Sequence, residues 1–319
     1  MSMKSAVVLG GSAGVGHAVV EALRARGFRV DVVARGSERL AEMEAAFGED
    51  VVTAAADMGD AAGLKGAIDG LIARIGRPSF WVNSAMQTSF SPFQQVGPEE
   101  FERIVRTTLP GQMNGTRLAL RHMERGHIVR VGLGLGYRPI PVQAAHCAAK
   151  HGINGFTSAL RSGLLRDGRP LTLSLVQLPA LNTPQFDWAL NRLPKKPQPA
   201  PPARSRRPCG DAGNRHRCAR NLVGRSVLQL VLGNFIAPDK LDRKLARDGA
   251  EMQKSGIDEP GGPTTCTRRR RTRPARGSFE DRAQDNAWTV DGDRIRHLAF
   301  GGAVGVALQL GVGLGLLIG

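Results

Sequence analysis

Cysteine, tyrosine and acidic residues are scarce in this chain of 319 residues, which has four cysteines and one tyrosine. So few cysteines indicate a reducing compartment in which the thiols stay free. The spacing of Cys209, His216 and Cys218 matches no zinc-binding pattern, so we expect no metal site. No signal peptide is recognisable before the strand-like run at residues 6–9, and we therefore expect a cytoplasmic domain.

The shortage of acidic residues is concentrated in two short stretches. The formal net charge is +16, of which residues 203–225 contribute +6 (seven Arg, one Asp) and residues 264–276 another +6 (six Arg, no acid). Both stretches lack interleaved aromatic residues, helical periodicity and a recognisable nucleic-acid-binding motif. We therefore expect no nucleic-acid partner. We interpret both stretches as short reading-frame slips in a GC-rich gene, with genuine nucleic-acid binding as the alternative.

Short apolar runs alternate with amphipathic segments over about the first 180 residues. Strands are predicted at residues 6–9, 30–33, 51–54, 80–82, 127–131 and 171–176. Between the first two, the helical spacing places Val19, Val20 and Leu23 on one face. This alternation predicts an α/β fold, a Rossmann-type doubly wound parallel sheet in three layers. We assign residues 1–250 to this domain, with 203–225 as a disrupted segment, and residues 251–296 to a disordered linker.

The C-terminal stretch, residues 297–319, is predicted to be an apolar tail. Residues 298–319 are apolar except for Gln309, and as a helix they would extend about 33 Å, enough to cross a membrane. Their glycines have small-xxx-small spacing, and Arg294 and Arg296 precede them, which would keep the main domain cytoplasmic. A membrane anchor is the preferred interpretation. The alternative is an apolar segment that docks on a partner subunit of a homo-oligomer.

A glycine-rich loop follows the first predicted strand and precedes the first predicted helix. Gly10, Gly14 and Gly16 have the spacing G-x-x-x-G-x-G. Such glycines permit a tight turn and a close approach to a pyrophosphate, which the helix N-terminus also attracts. We therefore predict a dinucleotide site formed by Gly10, Ser12, Gly14, Val15 and Gly16. The alternative is an ordinary strand-to-helix turn.

Arg35 follows the second predicted strand, nineteen residues after Gly16. An NAD site would carry an acidic residue there for the ribose hydroxyls, whereas the planar fork of an arginine suits a 2′-phosphate. We therefore expect NADP(H) to be preferred, with NAD(H) possible. The alternative is a solvated surface arginine.

These residues together resemble the short-chain dehydrogenase/reductase family, over residues 3–202 and in fragments to about 263. The segment Asn83-Ser84-Ala85 resembles the family's N-N-A-G, and Lys150 ends a segment that resembles Y-x-x-x-K. The resemblance implies five further cofactor contacts besides Lys150. These are Asp57 near the adenine, Asn83 and Ala85 after the fourth strand, and Pro179 and Thr183 at the nicotinamide, where Ala180 replaces the family's glycine.

The resemblance also implies a degenerate catalytic motif. The family's tyrosine, serine and asparagine positions hold His146, Leu133 and Thr108, and only the lysine, Lys150, is retained. Imidazole is a competent acid/base, but its nitrogen lies closer to the backbone than a tyrosine oxygen. Leu133 cannot hydrogen-bond an oxyanion. We therefore expect a weak or impaired oxidoreductase that transfers hydride between NADP(H) and a small-molecule ketone or secondary alcohol. The alternative is a non-catalytic dinucleotide-binding protein or the product of a decaying gene.

Overall fold

The computed structural model describes residues 4–198, 219–258 and 289–292. In chain order its regular elements are β1 (Lys4–Leu9), α1 (Gly14–Arg24), β2 (Phe28–Ala34), α2 (Ser37–Phe47), β3 (Val51–Ala55), α3 (Ala61–Ile75), β4 (Phe80–Asn83), β5 (Ser89–Phe90), α4 (Pro98–His122), β6 (Gly126–Leu133), α5 (Ala144–Arg166), β7 (Leu171–Leu178), α6 (Gln185–Trp188), β8 (Leu190–Asn191), β9 (Lys195–Pro197), β10 (Arg220–Val223), α7 (Arg225–Ile236), α8 (Pro238–Asp248), β11 (Lys254–Asp258) and β12 (Thr289–Asp291).

Eight of these strands form one sheet in the order β12-β10-β7-β6-β4-β1-β2-β3. All neighbours pair in parallel except β12, which pairs antiparallel with β10 at the edge. Val8 of β1 lies beside Val32 of β2 and Val82 of β4. Helices connect the parallel strands and cover both faces, which confirms the predicted three-layer Rossmann-type fold.

The core consists of two apolar clusters, one on each face of the sheet, because successive side chains of a strand point to opposite faces. On one face Val8 packs with Val20 of α1. On the other, Val7 packs with Leu64 and Ile68 of α3. Each such buried branched side chain contributes about 1.5–3 kcal/mol, and together they fix the strand ends from which the functional loops extend.

All six strands predicted from the sequence are present, each within about two residues of its predicted bounds. Two predictions of irregular structure are wrong for the described residues that they include. Within 251–296, β11 pairs with β9 and β12 extends the central sheet. Within 203–225, β10 pairs in parallel with β7. Buried Leu222 and Val223 explain that strand, because they complete the apolar edge of the sheet.

The remaining residues of both stretches lie outside the described residues, as do residues 298–319 with their predicted membrane span. In the part of the chain that the structure describes, no helix is both long and apolar enough to cross a membrane. The same residues contain no group of three or more His, Cys, Asp or Glu side chains that could hold a metal ion.

Candidate active site

The glycine loop between β1 and α1 leaves no room for a side chain at Gly10 or Gly16. Gly10 has a φ of +84°, and a Cβ there would come within 2.6 Å of the Ala85 backbone nitrogen. A Cβ on Gly16 would lie 2.1 Å from the Gly10 carbonyl oxygen and 2.7 Å from Ser84 Oγ. Glycine is therefore required at both positions by steric exclusion, which holds the turn tight against the β4 loop.

The first turn of α1 has the properties of an anion site. Its N-cap is Ala13, no side chain caps it, and no acidic residue lies in the first turn. The backbone N–H groups at the start of a helix lack intrahelical partners and carry a partial positive charge. The turn contains Gly14, Val15 and Gly16, and Ser12 precedes it in the loop. A pyrophosphate suits this cradle, because its backbone N–H groups have no side-chain cap and no acidic residue in the first turn repels an anion.

The segment after β7 lies over the glycine loop. A Cβ on Gly14 would be 3.4 Å from Thr183 Cβ, so Thr183 and the glycine loop are direct neighbours. Pro179, at the start of the same segment, lies 3.8 Å from the equivalent point on Gly224, before α7. The structure thus brings together two predicted parts of the cofactor site that are far apart in the sequence.

Arg35 and Asp57 follow β2 and β3 and face each other at the carboxyl edge of the sheet. Arg35 Nη1 lies 3.8 Å from Asp57 Oδ2, and both side chains are roughly half exposed. Asp57 Oδ1 also accepts a hydrogen bond from the Gly59 N–H at 2.7 Å, which fixes the carboxylate. An exposed ion pair of this kind contributes at most about 1 kcal/mol, so Arg35 can turn to another anion at little expense.

Asn83 and Ala85 support this edge from inside the protein. The Asn83 side chain is fully buried, accepts a hydrogen bond from Trp81 Nε1 and donates one to Thr116 Oγ1, both at 3.1 Å. Its amide is therefore committed to joining β4 to α4. Ala85 donates its N–H to the Leu9 carbonyl at 3.1 Å. Both residues shape the floor of the glycine loop through the backbone.

The backbone of Gln87 joins two of the substituted catalytic positions. Thr108 Oγ1 accepts from the Gln87 N–H at 3.0 Å and donates to the Gln87 carbonyl at 3.2 Å. His146 Nδ1 lies 2.8 Å from the same carbonyl. Because a carbonyl only accepts, Nδ1 carries the proton, and Nε2 of the neutral ring is left as an acceptor.

Burial makes His146 a weak base. The side chain is almost fully buried, and burial, reinforced by the positive charge of Lys150, lowers the pKa of its imidazole to about 3, although its bond to Gln87 opposes this. The ring is therefore neutral near pH 7, with its only proton held by a backbone carbonyl. It has no proton to donate to a substrate from Nε2.

Lys150 lies one turn further along α5, and its Nζ donates to the Val131 carbonyl at 3.0 Å. Burial and, secondarily, the charge of Arg130 lower the pKa of its ammonium group to about 7. Leu133, at the end of β6, is packed against the apolar cluster of one sheet face and offers no polar atom. The four predicted catalytic positions therefore lie around the ends of β4 and β6, with one basic group among them.

The turn that leads into α5 is strained. Val142 has a φ of +60°, the left-handed region that β-branched residues rarely adopt. Its carbonyl accepts from the Ser91 N–H at 2.9 Å, and its side chain packs on Phe90 and Phe186. These contacts hold a conformation that costs about 1–3 kcal/mol, which is typical of backbone beside a functional site.

Gln87, Gln112 and Arg130 belong to this site but were not predicted from the sequence. Gln87 acts through its backbone, which no side-chain pattern reveals. Arg130, fully buried in β6, could have been detected, because it interrupts the apolar run that begins at Ile128 and ends at Leu133. A charged residue in such a run indicates either an exposed edge or a buried charge with a function.

The comparison with known families agrees with this geometry. The model of the short chain dehydrogenase family matches residues 4–190, more than half of the chain. The chain belongs to the short-chain dehydrogenase family. Members of this family bind NAD(P) and act as oxidoreductases.

Individual relatives of this short-chain dehydrogenase are distant. The uncharacterized oxidoreductase YxnA of Bacillus subtilis is 28% identical over 198 residues, and the match covers 60% of this chain and 56% of that relative. The chain thus spans little more than half the length of YxnA. A short chain dehydrogenase/reductase from Burkholderia phymatum, solved with NAD, is 21% identical, with a TM-score of 0.56 over 58% of this chain and 69% of that one. A variant of actinorhodin polyketide ketoreductase, solved with NADPH, is 26% identical, with a TM-score of 0.54 over 57% and 72%.

Proposed function

We propose that this short-chain dehydrogenase binds NADP(H) and interconverts a small-molecule ketone and secondary alcohol slowly. The observation that carries the proposal is a contrast between two regions at the same edge of the sheet. The cradle for a dinucleotide is intact, whereas the group at the tyrosine position is a neutral imidazole whose proton is held by Gln87. The relatives named as oxidoreductases and the ketoreductase structure support the reaction class.

Different residues would bind different parts of the cofactor. The N-terminus of α1, with Gly14 and Gly16, would hold the pyrophosphate, and Arg35 would hold the 2′-phosphate in exchange for its contact with Asp57. Lys150 would donate from Nζ to the ribose hydroxyls, as the family resemblance implies. When bound, the nicotinamide supplies or accepts the hydride. Everything else must come from the chain itself.

The proton is the difficult part of the reaction for this chain. During carbonyl reduction the new alkoxide oxygen needs a proton, and His146 Nε2 has none to give. During alcohol oxidation Nε2 can accept a proton, but an imidazole with a pKa of about 3 does so weakly. Leu133 offers no hydrogen bond to the oxygen, a loss of about 3 kcal/mol, or a hundredfold in rate. Slow turnover follows from both deficits.

A second function is dinucleotide binding without catalysis. It is favoured by the same two deficits, the missing proton donor at His146 and the missing hydrogen bond at Leu133. The two candidates make the same prediction for binding and different ones for chemistry. We would titrate NADPH and NADH into purified full-length protein by calorimetry, and then follow NADPH absorbance in single turnovers with a panel of simple ketones. Tighter binding of NADPH with slow oxidation supports the first function. Binding without any oxidation selects the second, and failure to bind either nucleotide contradicts both.

The apolar tail, residues 298–319, is proposed to anchor the protein to a membrane, on the strength of its length and composition. Salt distinguishes the anchor from attraction of the Arg-rich stretches to anionic lipid, because only the latter is screened. The full chain should stay in the membrane pellet through a high-salt wash. Release by salt alone would contradict the anchor and favour docking of the tail on a partner subunit.

A further inference from the structure

Arg130 is a buried cation without a carboxylate. It lies in the middle of β6 with a relative exposure of 0%. In the part of the chain that the structure describes, its only polar partners are Thr157 Oγ1, 2.9 Å from Nη1, and Gln112 Oε1, 3.3 Å from Nε. The guanidinium lies over the Phe156 ring at 4.5 Å, and its Nη2 has no hydrogen bond among these residues.

Such an arrangement is unfavourable for stability alone. A buried charge without an opposite charge costs several kcal/mol, and a neutral side chain of the same size would avoid that cost. Arg138, by comparison, is buried almost as deeply but pairs with Asp242 and with Asn234 Oδ1 at 3.0 Å. The chain therefore neutralises the buried guanidinium of Arg138 with a carboxylate, whereas Arg130 has no carboxylate partner among the described residues.

Gln112 connects Arg130 to the catalytic lysine. Its Oε1 accepts from Arg130, and its Nε2 donates to the Val131 carbonyl at 3.1 Å. That carbonyl also accepts from Lys150 Nζ at 3.0 Å. The two cations thus hold opposite ends of one short hydrogen-bonded chain. The ionisable groups facing Lys150 are Arg130 on β6 and His146 on α5 itself, while α4 contributes the neutral Gln112.

We propose that Arg130 is a positioning residue whose buried charge, joined to Lys150 through Gln112 and the Val131 carbonyl, disfavours the ammonium form of Lys150 in the free protein, so that binding of the dinucleotide draws a proton onto Lys150. The proton comes from the buffer and ends on Nζ, and no bond of the nucleotide changes. The bound nucleotide stabilises the ammonium form, because its phosphates are negative and its ribose hydroxyls accept hydrogen bonds. The inference rests on the proposed binding of NADP(H).

Calorimetry in buffers of different ionisation enthalpy measures the protons taken up per nucleotide bound. We would use NADH, which lacks the 2′-phosphate that itself titrates near pH 6. For the full-length wild-type protein at pH 7 we expect roughly half a proton per NADH, because the pKa of Lys150 lies at about 7 in the free protein. Uptake should fall towards zero at pH 5.5, where the amine is already protonated.

Three variants, with a fourth in reserve, test whether the proton uptake depends on Lys150 and Arg130. Lys150→Met should bind NADH more weakly and with no proton uptake at any pH from 6 to 9. Arg130→Met removes the repelling charge, so the uptake maximum should move upward by about one pH unit and uptake at pH 7 should fall severalfold. Arg138→Met is the matched control, because it removes a buried guanidinium that no hydrogen bond links to Lys150, and it should keep the wild-type maximum. Arg130→Gln provides a second neutral variant should Arg130→Met fail to fold.

The outcomes separate the two proposals. If wild-type protein binds neither NADH nor NADPH, both the proposed function and this inference are overturned. If it binds NADH without proton uptake, or if Arg130→Met and Arg130→Gln keep the wild-type pH profile, only the role of Arg130 is overturned. A shift shared by Arg138→Met would also overturn it, because the effect would then follow from the loss of any buried arginine.

Discussion

The glycine loop and the catalytic positions lie at the same edge of one sheet, and they differ in what their polar groups are free to do. At the end of β1, Gly14 and Gly16 present backbone N–H groups that no side chain caps. At the ends of β4 and β6, the polar groups at the catalytic positions are occupied: His146 and Thr108 bind Gln87, and Lys150 binds Val131. The glycine loop therefore keeps the free donors that the proposed nucleotide binding needs, whereas the catalytic positions lack the mobile proton that the proposed reaction needs.

The largest effect should come from restoring the proton-handling groups. The triple variant Leu133→Ser, His146→Tyr and Thr108→Asn should raise the rate of ketone reduction by roughly 10²- to 10³-fold, because it returns a hydrogen bond to the oxyanion and a proton donor. Steady-state NADPH oxidation measures it. The same three changes combined with Lys150→Met should gain far less. If the wild-type protein already turns over at about 10 s⁻¹, our interpretation of His146 is wrong.

The next largest effect, on NADPH affinity, should come from placing a side chain in the glycine loop. Gly16→Ala places a Cβ 2.1 Å from the Gly10 carbonyl oxygen, so the loop must open, and NADPH affinity should fall by about a hundredfold or more. Gly70→Ala is the matched control, because a Cβ there meets nothing within 4 Å on the exposed side of α3. It should stabilise the fold by about 0.5–1 kcal/mol and leave NADPH binding unchanged. Equal NADPH affinity in the two variants would remove the glycine loop from the site.

The contrast between the two regions also explains what could be predicted from the sequence. The glycine loop acts through local backbone geometry, and local spacing predicts it. The strands β1, β2, β3, β4, β6 and β7 are equally visible, because each is a short apolar run between helical segments. Strand β10, between β12 and β7, was missed because Arg220 and Asn221 precede only two apolar residues, so its pairing with β7 depends on the rest of the sheet.

For the catalytic region, the residue types at each position were predicted from the sequence, but the contacts of their side chains were not. The family resemblance implies which positions Leu133, His146 and Lys150 occupy, but the Gln87 carbonyl that accepts a hydrogen bond from His146 lies 59 residues away in the sequence. The charge of Arg130 on Lys150 is likewise a tertiary effect. Long-range hydrogen bonds and burial set the pKa values of His146 and Lys150, and no local sequence pattern predicts either value.

A buried carboxylate in the nucleotide-binding half provides a third, smaller effect. Asp31 of β2 is 1% exposed, and neither oxygen has a hydrogen bond among the described residues. Burial raises the pKa of its carboxyl from 3.8 to about 7, although Arg29 and Arg74 oppose the shift. A raised folded-state pKa means that the folded protein holds the proton more tightly. Its stabilising effect is therefore complete below about pH 4 and is lost as pH rises through about 7.

Asp31→Asn cannot ionise and should remove this pH dependence. Its gain in unfolding free energy over wild type should be about 2–3 kcal/mol larger at pH 8 than at pH 5, measured by urea unfolding at both values. Asp248→Asn, exposed at the end of α8, is the control and should change stability by less than about 0.5 kcal/mol at either pH. Parallel pH curves for wild type and Asp31→Asn would show that Asp31 ionises normally in the folded protein.

The smallest expected effect concerns the choice between NADPH and NADH at Arg35, whose guanidinium already lies close to Asp57. Arg35→Asp should weaken NADPH binding more than tenfold, since it replaces one charge-assisted contact of about 1.5–3 kcal/mol by repulsion. It should not weaken NADH binding, because an acidic residue at this position suits the ribose hydroxyls. Asp57→Asn should act in the opposite direction, because the carboxylate 3.8 Å from Arg35 competes with the 2′-phosphate for the guanidinium. Titration of both nucleotides into both variants, at one fixed ionic strength, measures the two effects. If Arg35→Asp keeps the wild-type preference, Arg35 is a surface residue and the 2′-phosphate is recognised elsewhere.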